Sequence, residues 1–143
     1  MLSILNDTKG VVVTLDNSAD NETLVGTAVD MQGFDSVCFT TMVQLGEELE
    51  LSIKAQQGSD AACSDAADLE GSGETFTTDA YTNGLHYLEV HHPQERYVRP
   101  SITVPDASAA KAVVCLAQLF NAIDYPVGVN DGKLLTCPDE GTA

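Results

Sequence analysis

Strict alternation of apolar and polar side chains is the feature that most constrains this chain. In segment 49–56 every second residue is apolar, in the order Leu49, Glu50, Leu51, Ser52, Ile53, Lys54, Ala55 and Gln56. A period of two residues is the signature of a β-strand with one buried and one solvated face. Similar short runs, bounded by Gly, Asn, Asp or Pro, lie at 10–15, 23–29, 36–43, 85–91 and 97–104. The pattern predicts an all-β fold: a single-domain antiparallel β-sandwich or jelly roll of about eight strands.

The length of 143 residues is that of one ordinary domain. We expect residues 1–127 to form the sandwich, with an N-terminal arm at 1–9, and residues 128–143 to form a C-terminal extension. The stretch from Gln57 to Glu74 is rich in Gly, Ser, Ala and Asp. It predicts a long, solvated loop with one short strand or turn around Ala67 to Leu69. Asn83-Gly84 is a candidate hairpin turn.

The segment from Asp106 to Ile123 is ambiguous between helix and strand. Its sequence begins with a possible N-cap and places five apolar residues on one helical face, namely Ala109, Ala112, Val113, Leu116 and Phe120. A strand over 111–120 would instead be apolar on both faces, as buried strands are. Periodicity alone leaves both structures open between 107 and 120.

The charge balance excludes several classes of partner. With 22 acidic residues against 6 basic ones, the formal net charge is -16 at pH 7. Such a surface repels phosphate backbones and anionic lipid headgroups. We therefore expect neither nucleic acid nor a membrane as partner, and a protein with a basic patch fits better.

The N-terminal segment predicts an intracellular origin, and that setting decides how the cysteines are interpreted. Met1 to Lys9 carries no apolar stretch long enough for a signal peptide, and no later segment approaches the roughly 20 apolar residues of a membrane span. We expect synthesis in the cytoplasm. Four cysteines are widely spaced and form no C-x-x-C pair, namely Cys38, Cys63, Cys115 and Cys137. They predict free thiols, with Cys38 and Cys115 as small buried hydrophobes.

Three segments, taken in order, carry a further pattern: VDMQGFDSVCFTTMV at 29–43, DAADLEG at 65–71 and ERYVRPSITV at 95–104. Their distinctive features are a Gly-Phe-Asp-Ser turn at 33–36, Ala-Asp-Leu at 67–69 and Arg-Tyr-Val-Arg at 96–99. In this order and at these separations the segments resemble a widespread group of small virion proteins of tailed phages. The likeness runs from about Leu2 to Val127.

The resemblance implies a jelly-roll or sandwich protein that lies on or between capsid subunits, and it implies a strand at 111–120. We expect a capsid cement or decoration protein on the outer surface of the virion, with the major capsid protein as partner. A homotrimer is the natural oligomer, because capsid lattices provide threefold positions. The expected contacts come from the N-terminal arm and the RYVR strand, through Leu2, Leu5, Arg96, Tyr97 and Arg99. A head-tail connector or tail accessory protein is the alternative on the same fold.

The run from His86 to His92 contains all three histidines of the chain. On a strand, Glu89 and His91 share one face while His86 lies on the other, so at most two ligands converge. A cupin-like metal-dependent enzyme is the alternative function, but such sites also take a histidine from a distant strand. The sequence holds no G-x-S-x-G, H-E-x-x-H or P-loop motif. We expect histidines near a turn at the surface, no resident metal or cofactor, and no enzymatic activity.

Two charged groups leave alternatives open. Asp60, Asp65, Asp68 and Glu70 carry carboxylates at short intervals, which suits a calcium ion, but their spacing is not that of an EF-hand. A solvated acidic loop is the alternative. Arg96 and Arg99 either pair with acids inside the domain or contact another subunit.

Overall fold

The structure is a computed structural model that describes residues 3–15, 23–45, 49–78, 84–104 and 111–123. Its elements in chain order are the helical turn α1 (Ile4–Asp7) and the strands β1 (Lys9–Val13), β2 (Thr23–Val25), β3 (Val29–Asp30), β4 (Phe34–Leu45), β5 (Leu49–Gly58), β6 (Ala67–Asp68), β7 (Glu74–Thr78), β8 (Gly84–His91), β9 (Tyr97–Thr103) and β10 (Lys111–Ala122). The described strands pair in antiparallel fashion throughout.

The strands form two sheets that face each other. The four-stranded sheet has the order β1-β10-β4-β8, and the six-stranded sheet has the order β2-β9-β5-β6, with β3 added to β9 and β7 to β5. A jelly roll divides its eight strands between two facing sheets. Here β1, β10, β4 and β8 lie in one sheet, and β2, β9, β5 and β7 lie in the other. The predicted antiparallel β-sandwich of jelly-roll type is therefore confirmed.

The core lies between the sheets and is built from alternate side chains. In β5, Leu51, Ile53 and Ala55 are buried while Ser52 and Lys54 remain partly exposed, as the alternation predicts. The side chain of residue 49 lies outside the described part. In the four-stranded sheet the buried set on β4 is Val37, Phe39, Thr41 and Val43. Apolar residues from both sheets form one continuous cluster, and burial of this kind is the main favourable contribution to folding.

Strand β10 decides the ambiguity between helix and strand. It pairs with β1 along one edge and with β4 along the other. Its alternate residues Val113, Cys115, Ala117 and Leu119 are buried in the core. A helix here would bond only to itself and would leave the facing edges of β1 and β4 unpaired. The expected strand is confirmed for Lys111–Ala122, and residues 106–110 lie outside the described part.

Three local features differ from the sequence prediction. The single run expected at 23–29 is divided into β2 and β3 at Gly26, where the backbone comes very close to its neighbours. A Cβ added to Gly26 would lie 2.6 Å from Val13 Cγ1 and 2.8 Å from Pro100 Cγ. Strand β7 was not predicted, and α1 adds one helical turn inside the predicted arm. The predicted β6 is present at Ala67–Asp68.

Cys38, Cys63 and Cys115 are free thiols, as predicted. Cys115 is fully buried in β10, and burial raises the pKa of its thiol to about 11. Cys38, which was predicted to be buried, is only half-buried because it points to the outer side of β4. Cys137 lies outside the described residues, as do Asn83 and the domain boundary expected after residue 127. Within the described ranges, no helix has the length and apolar character needed to cross a membrane.

We expect Val37→Ala to lower the free energy of unfolding by about 2 kcal/mol, because it deletes buried carbon atoms and leaves a cavity. Thr75→Ala is the matched control, since Thr75 has the shape of valine and is exposed on β7, whereas Val37 is 0% exposed. The control should change the same quantity by less than about 0.5 kcal/mol. Urea unfolding followed by circular dichroism measures both variants, and equal losses would contradict this placement of the core.

Candidate functional site

The outer side of the four-stranded sheet carries a continuous apolar surface. Its members come from all four strands, and we call them the apolar sheet face: Val12, Thr40, Met42, Leu85, Tyr87, Val114 and Leu116. Five of these side chains are large and exposed, namely Val12 at 74%, Tyr87 at 60%, Leu85 at 53%, Val114 at 51% and Met42 at 46%. Single exposed apolar residues are normal on proteins, whereas a contiguous group marks an interaction site.

The strand register places these residues side by side. Met42 of β4 lies opposite Leu85 on β8 and opposite Val114 on β10. Two positions along, Thr40 lies opposite Tyr87 on β8 and opposite Leu116 on β10. Val12 of β1 extends the second row, since it pairs with Leu116. Side chains directly opposite each other on one face are in contact distance, so two rows form one surface.

This surface is poor in charge although the chain is strongly acidic. Among the described residues that point outward from these four strands, Glu89 is the one acid, and its carboxylate is within hydrogen-bonding distance of His91. His91 Nε2 lies 2.6 Å from Glu89 Oε1. The pair lies toward one end of the sheet, beyond the row of Tyr87. A charge-poor apolar centre with a polar rim is the usual anatomy of a protein interface.

A hydrogen-bonded rim fixes that end of the face. Ser36 Oγ is 2.8 Å from His91 Nδ1, and Asn121 Nδ2 donates to Ser36 Oγ at 3.2 Å. Phe120 meets the His91 ring edge to face, with centroids 5.6 Å apart. The first contact joins β4 to β8, the second joins β10 to β4, and the third reaches across β4 from β10 to β8. The rim therefore holds the edge strand β8 in position.

A serine, a histidine and a carboxylate are linked in the order of a hydrolytic triad at Ser36, His91 and Glu89. Their geometry nevertheless opposes nucleophilic catalysis. Ser36 is completely buried, and a nucleophile must reach the substrate. Its hydroxyl also already accepts a hydrogen bond from Asn121. The contacts among the three residues therefore hold β8 against β4 and orient the His91 ring.

His86 lies on the opposite side of β8 from Glu89 and His91, as the strand alternation predicts. Its ring stacks on Phe76 of β7, with centroids 4.5 Å apart, and its Nε2 is 3.2 Å from Glu74 Oε2. Because β7 belongs to the six-stranded sheet, these contacts join the two sheets at one side of the sandwich. Among the residues that the structure describes, none is a hydrogen-bond partner of the buried Nδ1 of His86.

The predicted metal-capable segment does not bring its ligands together. His86 pairs with Glu74, His91 with Glu89, and His92 with Asp35, where Nδ1 is 2.6 Å from Oδ1. In the part of the chain that the structure describes, no group of three His, Cys, Asp or Glu residues could hold a metal ion. The three histidines thus occupy three separate environments.

The aspartates of the acidic loop, for which a calcium ion and a solvated loop were the two alternatives, also bind separate partners. The donors are Ser64 for Asp60, Ser59 for Asp65, and Lys54 and Gln56 for Asp68. These hydrogen bonds lower the pKa of all three carboxyl groups. Each aspartate therefore stabilises its own turn or strand end.

Arg96 is bound inside the domain. Its Nε and Nη2 donate to the two carboxylate oxygens of Asp30 at 2.8 and 2.7 Å, and Nη2 also donates to Gln32 at 2.6 Å. The guanidinium lies 5.2 Å from the centre of the Tyr97 ring. This bidentate pair is the geometry that Arg prefers with a carboxylate. It connects β3 to the start of β9.

The other predicted contact residues are divided between several places. Arg99 Nε donates to Gln56 at 3.0 Å, and both Tyr97 and Arg99 belong to β9 in the six-stranded sheet. They therefore lie on the side of the molecule opposite the apolar sheet face. Leu5 is half-buried in α1, and Leu2 lies outside the described residues.

The sequence prediction missed the apolar sheet face, although a signal was present. The segment at 85–91 carries Leu85 and Tyr87 on one side and Leu88 and Val90 on the other, and segment 111–120 is also apolar on both sides. The pattern at 85–91 predicts only a strand, and the pattern at 111–120 is that of a strand buried on both faces. Only the register shows that the outward residues of the two strands meet across β4.

No protein-family model matches the sequence, and no curated protein matches it. Among solved structures, the CBM22-1 xylan-binding domain of Paenibacillus barcinonensis Xyn10C is similar, with 12% identity, a TM-score of 0.45, and coverage of 84% of this chain and 92% of that chain. A CBM4 structure is similar with 9% identity, a TM-score of 0.41, and coverage of 80% and 77%. Likeness at this level carries no argument about ligands.

The ion pair between Asp30 and Arg96 predicts a measurable titration. The hydrogen bond from Arg96 lowers the pKa of Asp30 to about 2, against an ordinary value of about 3.9. Because the folded pKa lies below the unfolded one, the contribution of this pair to stability is present above about pH 4 and is lost as the pH falls toward 2. Arg96→Ala should return the pKa of Asp30 toward its ordinary value.

Arg96→Lys is the matched control, since it keeps the charge and loses the two-pronged geometry, so the pKa of Asp30 should be intermediate. Carboxyl-carbon NMR titration of the three proteins makes the measurement. An Asp30 pKa that is identical in all three would show that the pair is not formed.

Proposed function

We propose that this chain is a non-catalytic assembly protein, and specifically a cement or decoration protein of a tailed-phage head. The apolar sheet face carries the proposal, because it is a surface that an assembled particle would cover. A jelly roll provides a rigid platform for such a surface, since backbone hydrogen bonds fix every strand of the sheet.

The electrostatics support an outer location on the particle. A formal net charge of -16 opposes close approach to packaged DNA. The proposed partner is therefore the outer surface of the major capsid protein. Each copy needs only a modest interface free energy, because repetition over the lattice multiplies the effect.

The segments that resemble phage virion proteins lie where the fold constrains sequence. Gly33 has a φ of +87° and lies in the turn that leads into β4, and a positive φ favours glycine. Residues 67–68 form β6, and Arg96 lies just before β9 and bonds Asp30. If this chain and the phage virion proteins share a fold, residues at turns and strand ends are the ones expected to match.

The capsid contacts remain as proposed from the sequence: the N-terminal arm with Leu2 and Leu5, and the start of β9 with Arg96, Tyr97 and Arg99. Arg96 and Tyr97 are at least partly exposed at the molecular surface. They lie on the six-stranded sheet, so contacts there leave the apolar sheet face available for a second interface.

We expect purified protein to bind phage heads assembled without it and to raise the temperature at which those heads rupture. Leu85→Asp should lower head occupancy at least tenfold, because covering a carboxylate with apolar surface is costly. Thr75→Asp is the matched control, since Thr75 is an exposed strand residue on the other sheet. Quantitative gel analysis of washed heads gives the copy number per head.

Hundreds of copies per head support a cement protein, and about a dozen or fewer would support a connector instead. Circular dichroism of each variant establishes that it is folded. Folded wild-type protein that fails to bind the heads would overturn the proposal, whereas full occupancy by Leu85→Asp would overturn only the part that the apolar sheet face has in it.

A further inference from the structure

We infer that the apolar sheet face is covered by the same face of a second copy, so that the protein forms a face-to-face dimer. The inference rests on the proposed function only in taking this face as a docking surface, and it names the occupant. The dimer would then present its remaining surfaces, including the start of β9, to the capsid.

Charge favours a second copy over a basic partner. Two chains that each carry a formal net charge of -16 repel each other at any surface where their acids oppose. The apolar sheet face avoids this cost, because none of its seven residues is charged and the outward acid in the next row, Glu89, lies beside His91. A basic partner would gain more from the acidic surfaces elsewhere, for example the loop that holds Asp60 and Asp65. The uncharged face suits a like-charged partner.

The available area is sufficient for a dimer. The strands β1, β10, β4 and β8 contain 5, 12, 12 and 8 residues. At about 3.3 Å per residue and about 4.8 Å between strands, the whole outer side of this sheet, which includes the polar rim as well as the apolar sheet face, covers roughly 600 Å² on each copy. Two copies that cover this side completely would bury about 1,200 Å², which is the lower end of the range for stable, specific interfaces.

A two-fold arrangement also fits the shape of the surface. Sheets pack face to face at about 10 Å with interdigitating side chains. In a two-fold interface each contact occurs twice, so a row such as Leu85, Met42 and Val114 would meet a second such row. Tyr87 and Met42 supply the large and adaptable contact groups that interfaces favour.

Sedimentation equilibrium tests the inference directly. We expect a mass near twice the chain mass of 15.1 kDa. Raising the salt concentration should strengthen the association, because salt screens repulsion between acidic chains while the apolar contact persists. Leu85→Asp should weaken dimerisation at least tenfold, and Thr75→Asp should leave it unchanged. A monomer at all concentrations, or the trimer expected from the sequence, would overturn the inference.

Cys38 provides a second, independent readout. It is half-buried and points outward from β4, in the row next to Thr40 and opposite Glu89. A face-to-face dimer would cover it, so its alkylation should be several-fold faster in Leu85→Asp than in wild type at one fixed pH. Cys63 and Cys115 are buried and should react slowly in both proteins. Peptide mass spectrometry resolves the individual cysteines, and equal rates at Cys38 would contradict the dimer.

The two proposals fail in different ways. A wild-type dimer that does not bind heads would overturn the proposed function and leave the dimer standing. Head binding by a protein that is monomeric in solution and on the particle would overturn the dimer and leave the cement function standing.

Discussion

Strand β10 is the element on which the rest of the molecule depends, because it is bonded on both edges and apolar on both faces. Its pairing with β1 and β4 completes the four-stranded sheet, which forces the segment to be extended although its sequence also suits a helix. Its inner residues, among them Cys115 and Leu119, complete the core. Its outer residues Val114 and Leu116 cannot be placed there, so the same strand that closes the sandwich also creates an apolar exterior.

Much of the fold could be predicted from local alternation. Segment 49–56 alternates so regularly that its strand and its buried face were both evident, and Leu51 and Ile53 are buried as expected. The boundary at Gly26 could not be predicted, since it depends on the close approach of Val13 and Pro100 from distant parts of the chain. Strand β7 was missed because ETFTT offers one large apolar residue, Phe76, and follows a polar stretch.

The candidate site was less predictable than the fold. Charged residues attract attention in a sequence, but Arg96 and Asp68 are bound to partners within the domain. The apolar sheet face depends on which outward residues become neighbours, and neighbours across strands are set by register. A shift of one residue would exchange the inner and outer sides of a strand. Alternation shows that a strand has two faces, and only the assembled sheet shows which residues share the exposed one.

The central claim is that this protein works by having its apolar sheet face covered in an assembled particle. A cryo-EM reconstruction of heads that carry the protein tests it most directly. The account predicts jelly-roll density on the outside of the head, with the outer side of β1, β10, β4 and β8 packed against the same sheet of a second copy. Density in which Leu85, Tyr87 and Val114 face open solvent would contradict it.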